Sequence, residues 1–263
     1  MVELKDMLRL MLYNICKGGG ERVPLIAKIV RDAKPDILGL LETVGWQNNN
    51  LTGFSKTVGL PHAFFSKANT KYDMALLGMH APREVINIQE GFWHTVVRVV
   101  YSIAPIGDLA IFLAHLNPKD VDARFQEVQR IIALARPYRH VILMGDFNSL
   151  SPHDPYDHIA LLRLLRERGI EKFGRDRLQF DCINFVESLG FIDVMRALKK
   201  QFISTVPTPS NQDPMHAVPL RLDYMFISQG LTPFLKDAVV LRTPLTDSAS
   251  DHYPLVVDFE FVG

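Results

Sequence analysis

Eight polar residues stand where apolar runs begin or end. Asn14 lies near the end of Leu8–Ile15, Glu42 follows Ile37-Leu38-Gly39-Leu40-Leu41, and His115 follows Leu109–Ala114. Asp146 and Asn148 follow Val141-Ile142-Leu143-Met144-Gly145. Asp223 directly precedes Tyr224-Met225-Phe226-Ile227, and Asp251 and His252 precede Tyr253-Pro254 and the last apolar run. A carboxylate at the mouth of an apolar core is costly unless a cation or a donor compensates it. Four carboxylates, two amides and two imidazoles drawn to one place suit a hard divalent cation with oxygen ligands, Mg2+ or Mn2+. Zinc fits less well, because neither a cysteine cluster nor a His-Glu-x-x-His helix is present.

Each residue has a plainer reading when taken alone. Gly-Asp-Phe-Asn builds an Asx turn, Glu42 is a solvated loop carboxylate, and His115 is a buried imidazole satisfied by a carbonyl. Asp223, two residues after Arg221, is half of a surface ion pair worth little. The plain account weakens for the group, since it needs as many coincidences as there are residues.

The elements that must carry these residues read as follows. Leu8–Ile15 is apolar enough for a strand covered on both faces. Pro24–Ala33 has one apolar helical face, and Ile37–Leu41 is a short buried strand. Strands are expected at Met74–Met79, Phe92–Tyr101, Leu109–His115 and Val141–Met144, with a helix over Asp122–Ala135. Residues 151–200 are mainly helical by pattern. Val206–Pro219 is rich in Pro, Ser, Asn and Asp and reads as a loop. Strands at Tyr224–Ile227, Ala238–Leu241 and Leu255–Phe261 close the chain. Strands interleaved with helices indicate an α/β protein, and with no composition shift one domain over 1–263 is expected.

Composition narrows the function classes. Of 263 residues, 48% are hydrophobic and 22% charged, which excludes disorder and coiled coil for the whole chain. Lys plus Arg and Asp plus Glu both total 29, so no general charge draws the chain to nucleic acid or anionic membrane. Cys16 and Cys182 fit neither a disulfide framework nor a zinc cluster and read as reduced thiols. The start, Met1–Asp6, lacks the features of a signal peptide, and no apolar run is long enough to span a membrane. A cytoplasmic protein is therefore expected.

Five segments together resemble the endonuclease/exonuclease/phosphatase superfamily, with its deoxyribonuclease I-like fold. They are Leu12-Tyr13-Asn14-Ile15, Pro35–Glu42, Ala114-His115-Leu116, Gly145-Asp146-Phe147-Asn148 and Ser250-Asp251-His252-Tyr253-Pro254. Arg221–Ser228 is similar to the family's Arg-Ile-Asp-Tyr strand. The resemblance runs in order from Leu8 to Phe259. It implies a four-layer α/β sandwich, with two mixed sheets face to face and helices outside. It also implies a Mg2+- or Mn2+-dependent phosphoesterase that hydrolyses phosphodiesters, or phosphomonoesters, by in-line attack of water. A nuclease is the leading expectation, so nucleic acid is a candidate partner; no obligate protein partner is evident. The alternatives are a sphingomyelinase-like phospholipid or small-molecule phosphodiesterase or phosphatase, and a non-catalytic binding module on the same fold.

The resemblance also implies roles. Glu42 is the principal metal ligand, with Asn14 and Asp251 beside it. Asp146 orients or deprotonates the attacking water, and Asn148 donates to phosphate or water. His252 contacts the phosphate, Asp223 holds His252, and His115 donates to a non-bridging oxygen. Asn117 and Arg124, just after the His-Leu motif, are candidate substrate contacts. Subgroups acting on apurinic DNA usually carry Tyr at the position of His115 and Lys soon after Glu42-Thr43; Val44-Gly45-Trp46 stands here instead. His115 is closer to deoxyribonuclease I-like and sphingomyelinase-like members. In the former an acid supports that histidine; Asp73 is a candidate, although a solvated strand-edge charge is the expected reading. Gly18-Gly19-Gly20 reads as a flexible loop at the site rim. Trp46, Phe65 and Trp93 are expected in the core, and His216 on the surface. Arg163, Arg166 and Arg168 with Glu167 read as a solvated helix face.

Overall fold

The structure, a computed structural model, describes residues 7–210, 213–216 and 218–261. The leader reading of Met1–Asp6 lies outside them. The elements run β1 (Met7–Asn14), α1 (Val23–Ala33), β2 (Ile37–Leu41), α2 (Asn48–Val58), β3 (His62–Ser66), β4 (Met74–Gly78), β5 (Glu84–Ile88), β6 (Val96–Ile103), β7 (Gly107–His115), α3 (Val121–Ala135) and β8 (His140–Asp146). Then follow α4 (His158–Glu167), α5 (Asp181–Ser188), β9 (Phe191–Asp193), α6 (Val194–Ala197), β10 (Asp223–Ser228), β11 (Leu235–Val240), α7 (Pro244–Ala249) and β12 (Leu255–Glu260).

The strands form two six-stranded mixed sheets, ordered β11-β12-β1-β2-β4-β3 and β5-β6-β7-β8-β10-β9. Side-chain alternation along each strand makes the layers. Leu8, Leu10 and Leu12 of β1 point between the sheets and meet Leu113, Met144 and Met225 there, whereas Met11 and Tyr13 point outward under α1. On the other sheet Ile142 and Met144 of β8 face inward, and Val141 and Leu143 pack outward against α3 and α5. Strands buried on both faces have no reason to alternate with polar residues, which is why they read as continuous apolar runs. The expected four-layer sandwich is the fold observed. No helix among the described residues is long and apolar enough to cross a membrane.

Five elements lie beyond the sequence expectation: α2, β3, β5, β9 and α7. Helix α2 includes Asn48-Asn49-Asn50, poor helix formers held by a capping box between Gln47 and Asn50. Strand β5 is an edge strand with its middle exposed, so its pattern is weak. The strand expected from Phe92 begins only at Val96; residues 92–95 are a loop tied to Asn69, whose backbone N–H donates to His94 O and whose Nδ2 donates to Phe92 O.

Candidate active site

Strand register assembles the floor. On β7, β8 and β10, His115 pairs with Asp146 and Asp146 with Asp223, which puts the three side chains in one row at the sheet's end. Gly145 lets the strands meet there, because a Cβ at that position would come 1.9 Å from Ala114 O. On the facing sheet β1 and β2 are parallel and end together, placing Asn14 opposite Leu41, next to Glu42. Both sheets therefore deliver their polar residues to one edge of the sandwich, at strand ends where the ladder no longer needs them.

Local geometry then aims each group. Glu42 and Asn148 sit at φ 61° and 47°, in the left-handed region that costs a non-glycine residue about 1–2 kcal/mol. Glu42 Oε1 accepts from Asn14 Nδ2 at 3.1 Å and Oε2 from the Lys17 backbone N–H at 3.0 Å. The amide oxygen of Asn14 accepts from Cys16 N, so Asn14 orients Glu42 in this arrangement. Gly18 N donates to Glu42 O at 2.7 Å, and a Cβ on Gly18 would strike Val44 O. The triglycine segment is thus at the rim as expected, but Gly18 and Gly19 are packed and buried, not a loose loop. Ser250 Oγ donates to Asn14 O at 2.7 Å and clips the Ser-Asp-His segment onto the end of β1.

His252 Nδ1 and Asp223 Oδ2 are 2.8 Å apart, both fully enclosed. Burial alone would lower the imidazole, but the Asp223 carboxylate, with Asp251 and Asp146 behind it, outweighs burial and lifts His252 to about 10. It is an imidazolium at neutral pH. His115 goes the other way: burial, then the cations around it, holds its pKa well below the ordinary value, so it is neutral. Burial and the neighbouring Asp223 raise Asp146. Asp146 Oδ2 stands 3.6 Å from His115 Nε2 and 3.9 Å from His252 Nε2. Neither distance is a hydrogen bond. The oxygen thus faces both ring nitrogens, and all three residues line the same cleft. Its partner Oδ1 is anchored by Asn148 N at 2.8 Å.

Two carboxylate groupings meet the demands of a cation differently. Donor atoms of Asp146, Asp223 and His252, and of His216, Asp251 and His252, each converge within 4.8 Å. His252 belongs to both, and as an imidazolium bonded to Asp223 it has no lone pair to offer. Glu42, outside both groupings, could also hold an ion. Burial pushes its carboxyl up, and the like charge of Asp251 adds to that shift. Two such carboxylates, one desolvated, fit a hard divalent ion.

The predicted residues surround a cleft of about 520 Å3, lined among others by Glu42, Asp146, Asp213, Asp251, Asn148, His115 and His252, with Lys17, Lys71, Lys119 and Lys172 around them. Asp223 lies beneath, holding His252. Several expectations are corrected. Arg124 is buried away from the cleft; its guanidinium donates to Asn117 O and Lys172 O and ties two loops together. Asn117 accepts from Lys119 N and Asp120 N and shapes the turn into α3. Asp73 is buried, not solvated, but it accepts from Ala68 N and pairs with Lys67, and so does not support His115. His115 stacks instead on His94, ring centroids 4.5 Å apart. Trp93 is 42% exposed and lines the cleft, whereas Trp46 is in the core. His216 is buried in the cleft wall, Nδ1 3.8 Å from Asp251. Arg221 is buried and forks onto Asp154 and Asp193. Arg163, Arg166, Glu167 and Arg168 are exposed as expected.

Of the residues lining the cleft, His94 and Lys172 escaped sequence reasoning, and His216 was expected on the surface. None stands at a strand end, and each comes from a loop with no periodic signal.

A model of the endonuclease/exonuclease/phosphatase family matches residues 11–252. The chain belongs to that family. Endonucleases, exonucleases and phosphatases are hydrolases of phosphate esters. Solved members share the fold at low identity. An AP endonuclease from Archaeoglobus fulgidus matches with a TM-score of 0.73 and 19% identity, covering 96% of this chain and 99% of its own. A family protein from Leptotrichia buccalis matches with a TM-score of 0.69 and 15% identity, covering 97% and 100%. The 3′ phosphatase NExo from Neisseria, bound to a product DNA hairpin, matches with a TM-score of 0.70 and 17% identity, covering 96% and 99%. No curated protein matches the chain.

Proposed function

We propose that this member is a phosphoesterase dependent on Mg2+ or Mn2+, using in-line attack by water, with nucleic acid as the leading substrate class. Asp146 Oδ2, facing His115 Nε2 and His252 Nε2 at 3.6 and 3.9 Å, carries the reading. A water or phosphoryl oxygen placed among them meets one acceptor, one neutral donor and one cation. Glu42 and Asp251 would hold the ion, with Asn14 orienting Glu42. A divalent ion there supplies positive charge to the phosphoryl and leaving oxygens.

The chain's own groups do the rest. Asp146 accepts a proton from the attacking water, and burial, by raising its pKa, makes it a better base than an ordinary aspartate. The His252 imidazolium donates through Nε2 to a phosphoryl oxygen, because Nδ1 is committed to Asp223. Neutral His115 donates from Nε2 when its proton sits there, and Asn148 offers the Nδ2 hydrogen that Leu116 O does not take. Such preorganised donors are typically worth about 100- to 1,000-fold each.

The second reading is a small-molecule phosphodiesterase or phosphatase. The compact cleft and the zero net charge of the chain favour it. Hydrolysis of DNA, RNA, sphingomyelin and inositol phosphates, each with Mg2+, Mn2+ or EDTA, tests both. Metal-dependent turnover of a phosphate ester is expected. None on any substrate with either metal would remove the enzymatic reading and leave the binding module.

A further inference from the structure

Lys172 has an unusual position for a lysine. It follows α4 on a loop whose neighbours Ile170 and Phe173 pack in an apolar cluster, and only 5% of it is exposed. Its Nζ reaches the cleft and donates to Asn148 Oδ1 at 3.0 Å. Arg124 secures its backbone by donating to Lys172 O. Among the described residues the bond to Asn148 is the one hydrogen bond of its side chain, its Nζ lies 4.9 Å from the Phe173 ring centroid, and no carboxylate is in ion-pair contact with it; Asp146, Asp213 and Asp223 act on it only from a distance. An ammonium has three donors, so two remain to be used. A buried cation lacking a close counter-ion is costly unless a ligand supplies the negative charge.

We propose that Lys172 is a phosphate anchor and specificity determinant, which biases the site toward a terminal phosphomonoester over an internal phosphodiester. The proposal rests on the phosphoesterase reading of the same cleft. Charge and donor geometry both support it. The four carboxylates and four lysines lining the cleft cancel, and His252 is balanced by Asp223 beneath it. With a divalent ion the cleft carries two net positive charges, matching a dianionic monoester; without Lys172 it carries one, matching a diester. A monoester also has a third non-bridging oxygen, and the two donors left on the Lys172 ammonium add to those of Asn148, His115 and His252 to meet it. Burial lowers the lysine to about 8, chiefly by desolvation, with Asp146 opposing, so the amine is still mostly charged at pH 7. Lys172 can only donate, so it also fixes the Asn148 amide with its oxygen toward Nζ.

The test compares wild type, K172Q and K172R on p-nitrophenyl phosphate, a terminally phosphorylated oligonucleotide, bis-p-nitrophenyl phosphate and an unphosphorylated oligonucleotide, with Mg2+ and Mn2+. Orthophosphate binding is measured by calorimetry alongside, and thermal melts check folding. K172Q should lose at least about 10-fold more kcat/KM on monoesters than on diesters, mainly through KM, and K172R should recover part of it. The two monoesters separate a nucleic-acid end from a free small molecule as the source of the phosphate. Orthophosphate should bind at least about 10-fold more weakly to K172Q. Equal losses on both ester classes, or none, would overturn the proposal while the phosphoesterase reading stands. Absent turnover in wild type with Lys172-dependent orthophosphate binding would overturn that reading and keep the anchor. Absent turnover with no such binding would end both.

Discussion

His252 Nδ1 lies 2.8 Å from Asp223 Oδ2, and both side chains are 2% exposed. A sealed pair of this kind fixes the ring's tautomer and its direction together. With Nδ1 turned to Asp223, only Nε2 is left for the cleft. Asp223→Asn keeps the shape and removes the nearest of the carboxylate charges that together outweigh desolvation. The variant should lose about 100-fold or more in kcat, and the His252 pKa read by NMR should fall from about 10 toward or below the ordinary histidine value. A ring that still titrates near its wild-type value would show that Asp223 is not what charges it.

Glu42 is half-buried and Asp146 buried, and the two carboxylates are set up for different tasks. Glu42 is bridged by Asn14 and Lys17 N and looks across at Asp251. Asp146 is anchored by Asn148 N and faces two imidazoles. Glu42→Gln should weaken Mn2+ binding by about 10-fold or more, the cost of one charged ligand contact. Asp146→Asn should bind Mn2+ within a few-fold of wild type but lower kcat by about 100-fold or more. Mn2+ titration followed by electron paramagnetic resonance, beside steady-state rates, separates the two. The reverse pattern would exchange their assignments.

Arg221 shows how the fold secures this floor from behind. Its guanidinium forks onto Asp154 at 2.8 and 3.1 Å and reaches Asp193 at 2.6 Å, with all three side chains buried. The same residue sits two positions before Asp223 and clamps the 150s loop and β9 to the start of β10. Arg221→Met leaves two buried carboxylates without their counter-ion. It should cost about 3–5 kcal/mol in urea unfolding. Lysine cannot reproduce the fork, so Arg221→Lys should recover less than half of that. Wild-type stability in either variant would show that the triad is dispensable.

The contrast between Asp223 and Lys172 explains what the sequence can disclose. A strand buried on both faces has a strong apolar pattern, so a polar residue at its end is conspicuous and its register follows from the sheet. Asn14, Glu42, His115, Asp146 and Asp223 were visible for that reason, and the layer order followed from the same runs. Lys172, His94 and His216 sit in loops, where a lone lysine or histidine looks the same whether it is solvated or turned inward. Only tertiary packing decides that: Ile170 and Phe173 pull the Lys172 loop under the surface, and the Asn69 contacts shorten β6 so that His94 faces His115. Helix α2 was hidden because its asparagines favour a cap over a helix interior.

His94 makes a prediction about acid sensitivity. The ring is 1% exposed, stacked on His115 and bonded through Nδ1 to the Thr70 hydroxyl, with Nε2 unpartnered. Burial lowers it to about 4, from 6.5. A histidine whose folded pKa is depressed binds fewer protons than in the unfolded chain. Its contribution is therefore complete above pH 6.5 and is lost as pH falls from there toward 4. His115 and His216 shift in the same direction, whereas Glu42 and Asp146 shift upward and gain from acid, so the net curve alone does not isolate one ring. The difference between wild type and His94→Phe does. The phenylalanine keeps the stack and cannot take a proton. Between pH 7.5 and 4.5 wild type should lose about 2–3 kcal/mol more than His94→Phe, from the size of the shift. Urea unfolding at both pH values measures it. Parallel losses in the two proteins would mean that His94 is protonated in the fold as readily as in the unfolded chain, and that the stack on His115 does not keep it neutral.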